Sequence, residues 1–491
     1  MARRTAVIDI GSNSARLVIF QKTSRFGFHL LAQHKSRVRI GEGAYHQQGY
    51  LQPVPMERAF ETLRAFAGIM REYRVTKTLC VATSALRDAP NRSEFVERVS
   101  RELGIHIRVI DGKEEARYGA LAAANLLPPV AEAITIDIGG GSADMALLHK
   151  GRIVETCSLD LGTVRLKELF TAGQIDRSAA EAFIQQELHR LPERFAAAVA
   201  IGIGGTTRAL ARGMMESSEY PFDKLHAYTY TLKEKQSYLD RIITADLATL
   251  EALMIPSGRF DTIREGTLIF RKILEHIGAR EVITSGVGVR EGVYLHDRLR
   301  KHKDRFPRDI NPSIVSIRDR IDILDLPAGN KRSIGHTLFS LFADAFGGTK
   351  WDETMLMHAL SLSDIGKMLT IYKEHHHAFY VALHELNYGF THEEMVLIAM
   401  ILRSKGKKYH KELFRQYRSL LPRKKRLKWL IFLHTLTLII HENAPRAKVK
   451  MRYRDNLLKI EGDFAPYLMR EQVAQIYRPE KLKIEIVSRS S

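Results

Sequence analysis

Cysteine is almost absent from this 491-residue chain: Cys80 and Cys157 are the only two, both in apolar, strand-like surroundings. Their scarcity argues against a disulfide framework and suits a reducing cytoplasm. Long hydrophobic runs are missing as well. The longest, WLIFLHTLTLII from Trp429 to Ile440, has 12 residues and carries His434, whereas a spanning helix needs about 20, so it reads as a buried helix and no membrane partner is expected. The opening MARRTAVIDIG has neither an apolar signal core nor a small-residue cleavage site, and no export is expected. RNP aromatics, zinc-finger spacings and RGG tracts are lacking, which makes nucleic acid an unlikely partner. Acidic residues fall short of basic ones, 56 against 75, for a formal charge of +19. An excess of that size suits a polyanion, whether polyphosphate, nucleic acid or anionic lipid.

With 45% hydrophobic residues the chain can bury several cores, and its length suggests about three or four domains. Strand and helix signals alternate through strands 5–10 and 16–21, helix 56–74, strand 78–82, helix 92–103, strand 106–110 and helix 113–126. The pattern restarts with strands 133–138, 143–149 and 153–158, then a helix near 178–197, strand 199–203, helices 206–214 and 263–277, and strand 281–284. Such alternation predicts α/β layers with mixed sheets. Placing Asp9 on Asp137, an offset of 128 residues, superimposes Ile-Asp-Ile-Gly on itself and Ser14 on Ser142. An internal duplication is the economical reading. RFPRDINPS (Arg305–Ser313) supplies the Pro and Asn of a boundary. Beyond it, apolar residues at three and four spacing predict helices over 333–347, 353–371, 375–386, 391–403 and 425–440. KVKMRYR and LLKIEG then alternate like a hairpin, and KLKIEIVS like a terminal strand. The expected domains are α/β over 1–125, α/β over 126–308, helical over 309–442 and small α+β over 443–491.

Two strand ends carry the same device. In VIDIGSNSARLVIF the strand ends at Asp9 and turns through Gly11, Ser12, Asn13 and Ser14; in IDIGGGSADMALL it ends at Asp137 and turns through Gly139, Gly140, Gly141 and Ser142. Bare turns of this kind aim backbone N–H groups into a concavity that can hold an anion. The aspartate before each is placed to hold a divalent metal against a bound phosphate. A single turn reads equally as a plain hairpin; two in register across a duplication favour the phosphate cradle. A third loop, IGIGGTTRALA, offers Gly204, Gly205 and Thr206 where a strand passes into a helix, whose free amides and dipole attract phosphate.

DIGSNSARLVI, ATSALRDAPN, VIDGKEEARYGA, IDIGGGSADM and GIGGTTRAL, in that order, resemble the exopolyphosphatase and guanosine pentaphosphate phosphohydrolase (Ppx/GppA) family. The resemblance runs from residue 5 to about 295. It implies a duplicated actin-like ATPase core, the fold of acetate and sugar kinases, heat-shock chaperone ATPases and actin, followed by an HD-like helical domain. It also implies a homodimer, and Mg²⁺-assisted hydrolysis (Mn²⁺ as the alternative ion) of the terminal phosphoanhydride of polyphosphate or of pppGpp. The glutamate before Ala-Arg, Glu115, matches the family's catalytic base and also counts among the metal-holding carboxylates with Asp137 and Asp9. Arg87 matches an arginine near the leaving phosphate. Read from local sequence alone, Glu114 completes a capping box with Asp111, and Glu115 has no such structural use.

HALSLSDIGK (His358–Lys367) resembles the metal-binding stretch of HD phosphohydrolases, but Ser363 stands where the doublet's histidine should be. A scaffold without its own metal chemistry is expected. Consecutive His375, His376 and His377 point about 100° apart on a helix and cannot share one ion. RSKGKKYHK and PRKKRLKW read first as solvated helix faces, and alternatively as a channel for a long polyanion. The rival readings are a pppGpp 5′-phosphohydrolase, a superfamily kinase, and a polyphosphate-sensing scaffold without turnover.

Overall fold

The computed structural model describes residues 3–44, 47–170, 177–321, 329–406, 408–479 and 482–488. Two expectations extend beyond them: Lys407 of the first basic cluster and Lys481, which opens the last strand signal. The chain divides into two compact units, Met1–Pro312 and Ser313–Ser491.

The first unit holds two sheets. β1 (Arg4–Ile10), β2 (Ala15–Lys22), β3 (Phe28–Ser36), β4 (Lys77–Ala82) and β5 (Ile107–Val109) lie in the order β3-β2-β1-β4-β5. β6 (Glu132–Ile138), β7 (Ala143–His149), β8 (Arg152–Leu159), β9 (Val199–Ile203), β10 (Thr229–Thr231) and β11 (Glu281–Thr284) lie in the order β10-β11-β9-β6-β7-β8. Each sheet pairs its first strand antiparallel with the second and parallel with a strand that follows a helix. The registers repeat too: Asp9 stands opposite Arg16, and Asp137 opposite Asp144. Gly11 N–H donates to Ser14 O at 3.1 Å, and Gly139 N–H to Ser142 O at 2.9 Å. The duplication is therefore one of backbone geometry as well as of letters. Strand β3, absent from the sequence reading, is a half-buried edge strand in which Leu30 and Leu31 interrupt the alternation. The helix expected to reach 197 ends at Leu188, ahead of Pro192.

Two helices join the sheets. Asp111 caps the Gly112–Leu126 helix by accepting from Glu114 N–H at 2.7 Å. The expected capping box is only half formed, because the Glu114 carboxylate is taken by Arg108 and by the Tyr118 hydroxyl. This helix follows β5 in the chain yet packs on β6, β7 and β8, while Val289–Leu299 packs across it and onto β1. Where the two helices cross, a Cβ at Gly292 would overlap the Tyr118 carbonyl, so only glycine lets the backbones touch.

In the second unit, helices Gly329–Phe346, Lys350–Ser361, Glu374–Glu385, His392–Arg403 and Lys424–Asn443 accompany a sheet of β12 (Lys450–Arg454), β13 (Leu457–Gly462) and β14 (Lys483–Ser488). Capping boxes at Thr349/Asp352 and Thr391/Glu394 start two of the helices. The helix expected over 353–371 breaks after Ser361 into the short turn Ile365–Met368, where Gly366 lies against the Glu374 backbone. Residues 429–440 are buried throughout the Lys424–Asn443 helix, and among the described residues no helix is long and apolar enough to cross a membrane. Asp364 accepts from Lys331 Nζ at 2.6 Å and Lys367 Nζ at 2.7 Å; burial pushes its carboxyl up, but the two ammonium groups outweigh that and hold it well below the usual range.

The helix crossing gives the first expected outcome. Gly292→Ala should destabilise the protein by about 1–3 kcal/mol through overpacking, read as a lower denaturation midpoint; an unchanged midpoint would show that the helices separate freely.

Candidate active site

The device anticipated at the strand ends comes together between the two sheets. Asp9 and Gly11 to Ser14 from the first, Asp137, Gly139 and Gly140 from the second, Gly204 to Thr206 at the start of the Gly204–Ser217 helix, and Glu115 all line one cleft of about 140 Å³. Ser12 Oγ lies 2.8 Å from Ser84 Oγ, which ties the first turn to the end of β4. Gly204 has φ +91°, and a Cβ there would collide with the Asp137 carboxylate. Glycine alone lets the third loop close over that aspartate.

Three of the expected residues stand behind the lining. The Gly141 carbonyl accepts from Arg165 Nε at 2.9 Å. Ser142 Oγ donates to Asp144 Oδ2 at 2.9 Å, and Ser158 Oγ donates to Asp144 Oδ1 at 2.6 Å. Arg87 approaches Glu115 Oε2 with Nη1 at 3.2 Å, and its Nε lies 3.4 Å from Asp88.

Six cations also line the cleft: Arg16, Lys35, Arg37, Arg208, Arg259 and Arg290. The sequence reading missed them, and missed Asp144. Arg16 was findable, since the hairpin register puts it opposite Asp9; Arg208 lies inside the quoted third loop. Lys35 and Arg37 arrive together at the end of β3, Arg259 and Arg290 from two further segments, and only the global charge hinted at them.

Burial dominates the electrostatics. It pushes Asp137 up to about 6, against the pull of Arg208. It pushes Asp144 up to about 7, with Asp137 adding repulsion and the two serine hydroxyls opposing. Burial and the Asp144 charge raise Glu115 well above the carboxylate range, and Asp137 and Asp9 add to this; the Arg87 bridge pulls the other way and is outweighed. Burial raises Asp9 too, although Arg290 and Arg16 oppose it. Among the cations, burial together with Arg16 and Arg259 brings Lys35 down to about 8. Like charges are crowded on both sides of the cleft, an arrangement that favours a ligand carrying many negative charges together with a cation.

Among the described residues no three His, Cys, Asp or Glu side chains form a ready metal cage. Asp9 and Asp137 do present carboxylates that accept no hydrogen bond among the described residues, which leaves their oxygens free for a hard cation.

Comparison with known proteins agrees with this geometry. The profile of the Ppx/GppA phosphatase family matches residues 18–302, more than half of the chain. This chain belongs to the Ppx/GppA family. The Ppx/GppA family member of Aquifex aeolicus is 30% identical, with a TM-score of 0.53 over 61% of this chain and 99% of that one. An exopolyphosphatase from Cytophaga hutchinsonii, 24% identical, shares the fold with a TM-score of 0.56 over 60% of this chain and 98% of that one. The two sheets are thus the duplicated actin-like core of a Ppx/GppA phosphatase, and the cleft lies between its halves.

The raised carboxyls fix a sign for stability. Asp137 and Asp144 hold protons more tightly when folded than at their ordinary value of 3.8. Their contribution is therefore complete below about pH 4 and is lost as pH rises through 6 to 7. Asp144→Asn should raise the stability of ligand-free protein at pH 8 by on the order of 2 kcal/mol, with no gain at pH 4. Thermal melting at both pH values checks this, and an equal effect at the two would refute it.

Proposed function

We propose that this Ppx/GppA phosphatase is an exopolyphosphatase that releases orthophosphate from the end of inorganic polyphosphate. The observation that carries the reading is the cleft lining: six cationic side chains and three carboxylates, with no aromatic ring among the described residues on which a nucleobase could stack. That favours a chain of phosphates over pppGpp, the second substrate the family resemblance implies.

In the proposed reaction the amides of Ser12 to Ser14, of Gly140 and of the 204–206 turn donate to the non-bridging oxygens of the terminal phosphate, and Arg16, Arg208 and Arg290 neutralise its charge. Glu115 orients a water in line with the bridging oxygen and accepts its proton as the new P–O bond forms. The bridging P–O bond breaks, and its electron pair leaves on the shortened chain, where the Lys35, Arg37 and Arg259 charges offset it. The proton on Glu115 then passes to solvent or to the departing orthophosphate. Arg87, paired with Glu115, holds that carboxylate in place. Asp137 and Asp9 would hold Mg²⁺ through one or two carboxylates plus water and phosphate oxygens, and the ion would supply further charge neutralisation at those oxygens.

Phosphate release from long polyphosphate, tripolyphosphate, pppGpp and ATP tests this. Wild type should favour polyphosphate, and Glu115→Ala should lose about 10²–10⁴-fold in kcat. Faster release from pppGpp would replace the polymer reading, and release from none would remove the hydrolase. The basic helical segments bear on long chains. Lys424 and Arg418 lie against Phe414, Lys408 lies over Tyr477, and Lys428 is pushed down by burial and by the Lys408 and Lys424 charges. If they guide the polymer, Lys424→Gln with Lys428→Gln should weaken binding of long chains and flatten its salt dependence, while tripolyphosphate binding stays unchanged; equal affinity for long chains would remove the channel.

A further inference from the structure

We propose that His226 is a positioning residue for the phosphate cleft, its imidazole fixing the loop that delivers Gly288 and Arg290 against the helix that carries Glu115. His226 is 7% exposed and lies outside the cleft. Its Nδ1 accepts from Gly286 N–H at 3.0 Å. Its Nε2 lies 2.9 Å from the carbonyl of Leu126, the last residue of the Gly112–Leu126 helix. Because Nδ1 must present a lone pair to an N–H, Nε2 carries the proton and donates it to that carbonyl. Leu126 O is among the helix-end carbonyls that have no partner within the helix, and Gly286 opens the turn into Val289–Leu299.

The same two helices touch backbone to backbone at Gly292 and Tyr118. The helices are also tied through Asp304, which pairs with Arg117 at 2.6 Å and lies 3.0 Å from His296 Nδ1, toward the end of Val289–Leu299. The His226 bridge adds a tie at the opposite end, where Val289–Leu299 starts. That start carries Arg290, which is 4% exposed, lines the cleft and has an Nη1 with no hydrogen-bond partner among the described residues. Within the loop, Ser285 Oγ donates to Val287 O at 2.9 Å, and Gly288 N–H donates to Glu291 Oε2 at 2.8 Å. The loop is therefore internally stiff; Ser285 N–H holds its entry on β9 by donating to Gly202 O at 2.8 Å, and His226 ties the next residue to the Glu115 helix.

This inference rests on the reading of the cleft as a phosphate site. Each of two substitutions keeps half of the bridge: the Oδ1 of His226→Asn falls near Nδ1 and keeps the Gly286 contact, while the Nε2 of His226→Gln falls near Nε2 and keeps the Leu126 contact. Each variant opens the bridge at one end, so a positioning role weakens ligand binding in both, while a merely structural histidine lowers only the melting temperature. Full-length protein is titrated with tripolyphosphate, followed by kinetics and thermal melting. His226→Gln and His226→Asn should each raise Kd and KM about tenfold, with a smaller change in kcat. Wild-type Kd and KM in either folded variant would overturn the positioning role. A wild type that binds tripolyphosphate yet releases no phosphate would overturn the hydrolase and leave the His226 comparison intact, since that comparison is read from Kd.

Discussion

Four carboxylates gathered at one cleft, Asp9, Asp137 and Glu115 on its wall and Asp144 behind them, are the constraint around which the N-terminal unit is arranged. Buried acids of like sign raise one another and resist ionising. The cations around them face the mirror problem: burial and the neighbouring Arg290 charge push Arg16 down, and burial with Arg16 and Arg290 brings Arg208 down to about 10. Each set is tolerable because the other is near. A polyphosphate end bound with a divalent cation would complete both, the anion answering the arginines and the metal answering the carboxylates. The chemistry proposed for the site and the electrostatic condition of the fold are thus two views of one charge distribution.

The duplication explains how such a cleft is built and why it is not symmetric. The two hairpins repeat strand register and turn hydrogen bond, so both lobes present bare amides at the same height. At the ladder position opposite the turn aspartate, one lobe has Arg16 and the other Asp144, again 128 residues apart. This one difference of sign makes the two cradles unequal, with a cation beside the first turn aspartate and a second carboxylate beside the other.

Local devices were legible in the sequence because their information is local. The turns at Gly11 and Gly139, the Asp111 cap and the strand alternation each depend on a few adjacent residues, and the fold class follows from their order. The direction of individual groups depends on tertiary partners. Gly141 and Ser142 belong to the motif by sequence, yet Arg165 and Asp144 hold them away from the cleft. Glu114 was assigned to a capping box, and Arg108 and Tyr118 claimed its carboxylate. Lys35 and Arg37 at the end of β3, Arg259 and Arg290 reach the site from three segments with no shared pattern. The helix 353–371 kept its apolar spacing through a break that close packing at Gly366 imposes.

Chain order also conceals which lobe holds Glu115, the proposed base. The Gly112–Leu126 helix follows β5 of the first sheet but rests on β6, β7 and β8 of the second. Glu115 is therefore anchored on the same sheet as Asp137 and the Gly139–Gly140 turn, while Asp9 and the Gly11–Ser14 turn belong to the other. Any change in the angle between the sheets would carry the first turn toward or away from Glu115, the proposed base, and Asp137, proposed to hold the metal, whose mutual distance stays fixed. Closure would then govern how firmly the phosphate is gripped, and the second sheet alone would govern the geometry of attack. On that division of labour the crossing of the two helices at Gly292, which ties Val289–Leu299 and its Arg290 to both sheets, is the joint through which grip and attack are kept in register.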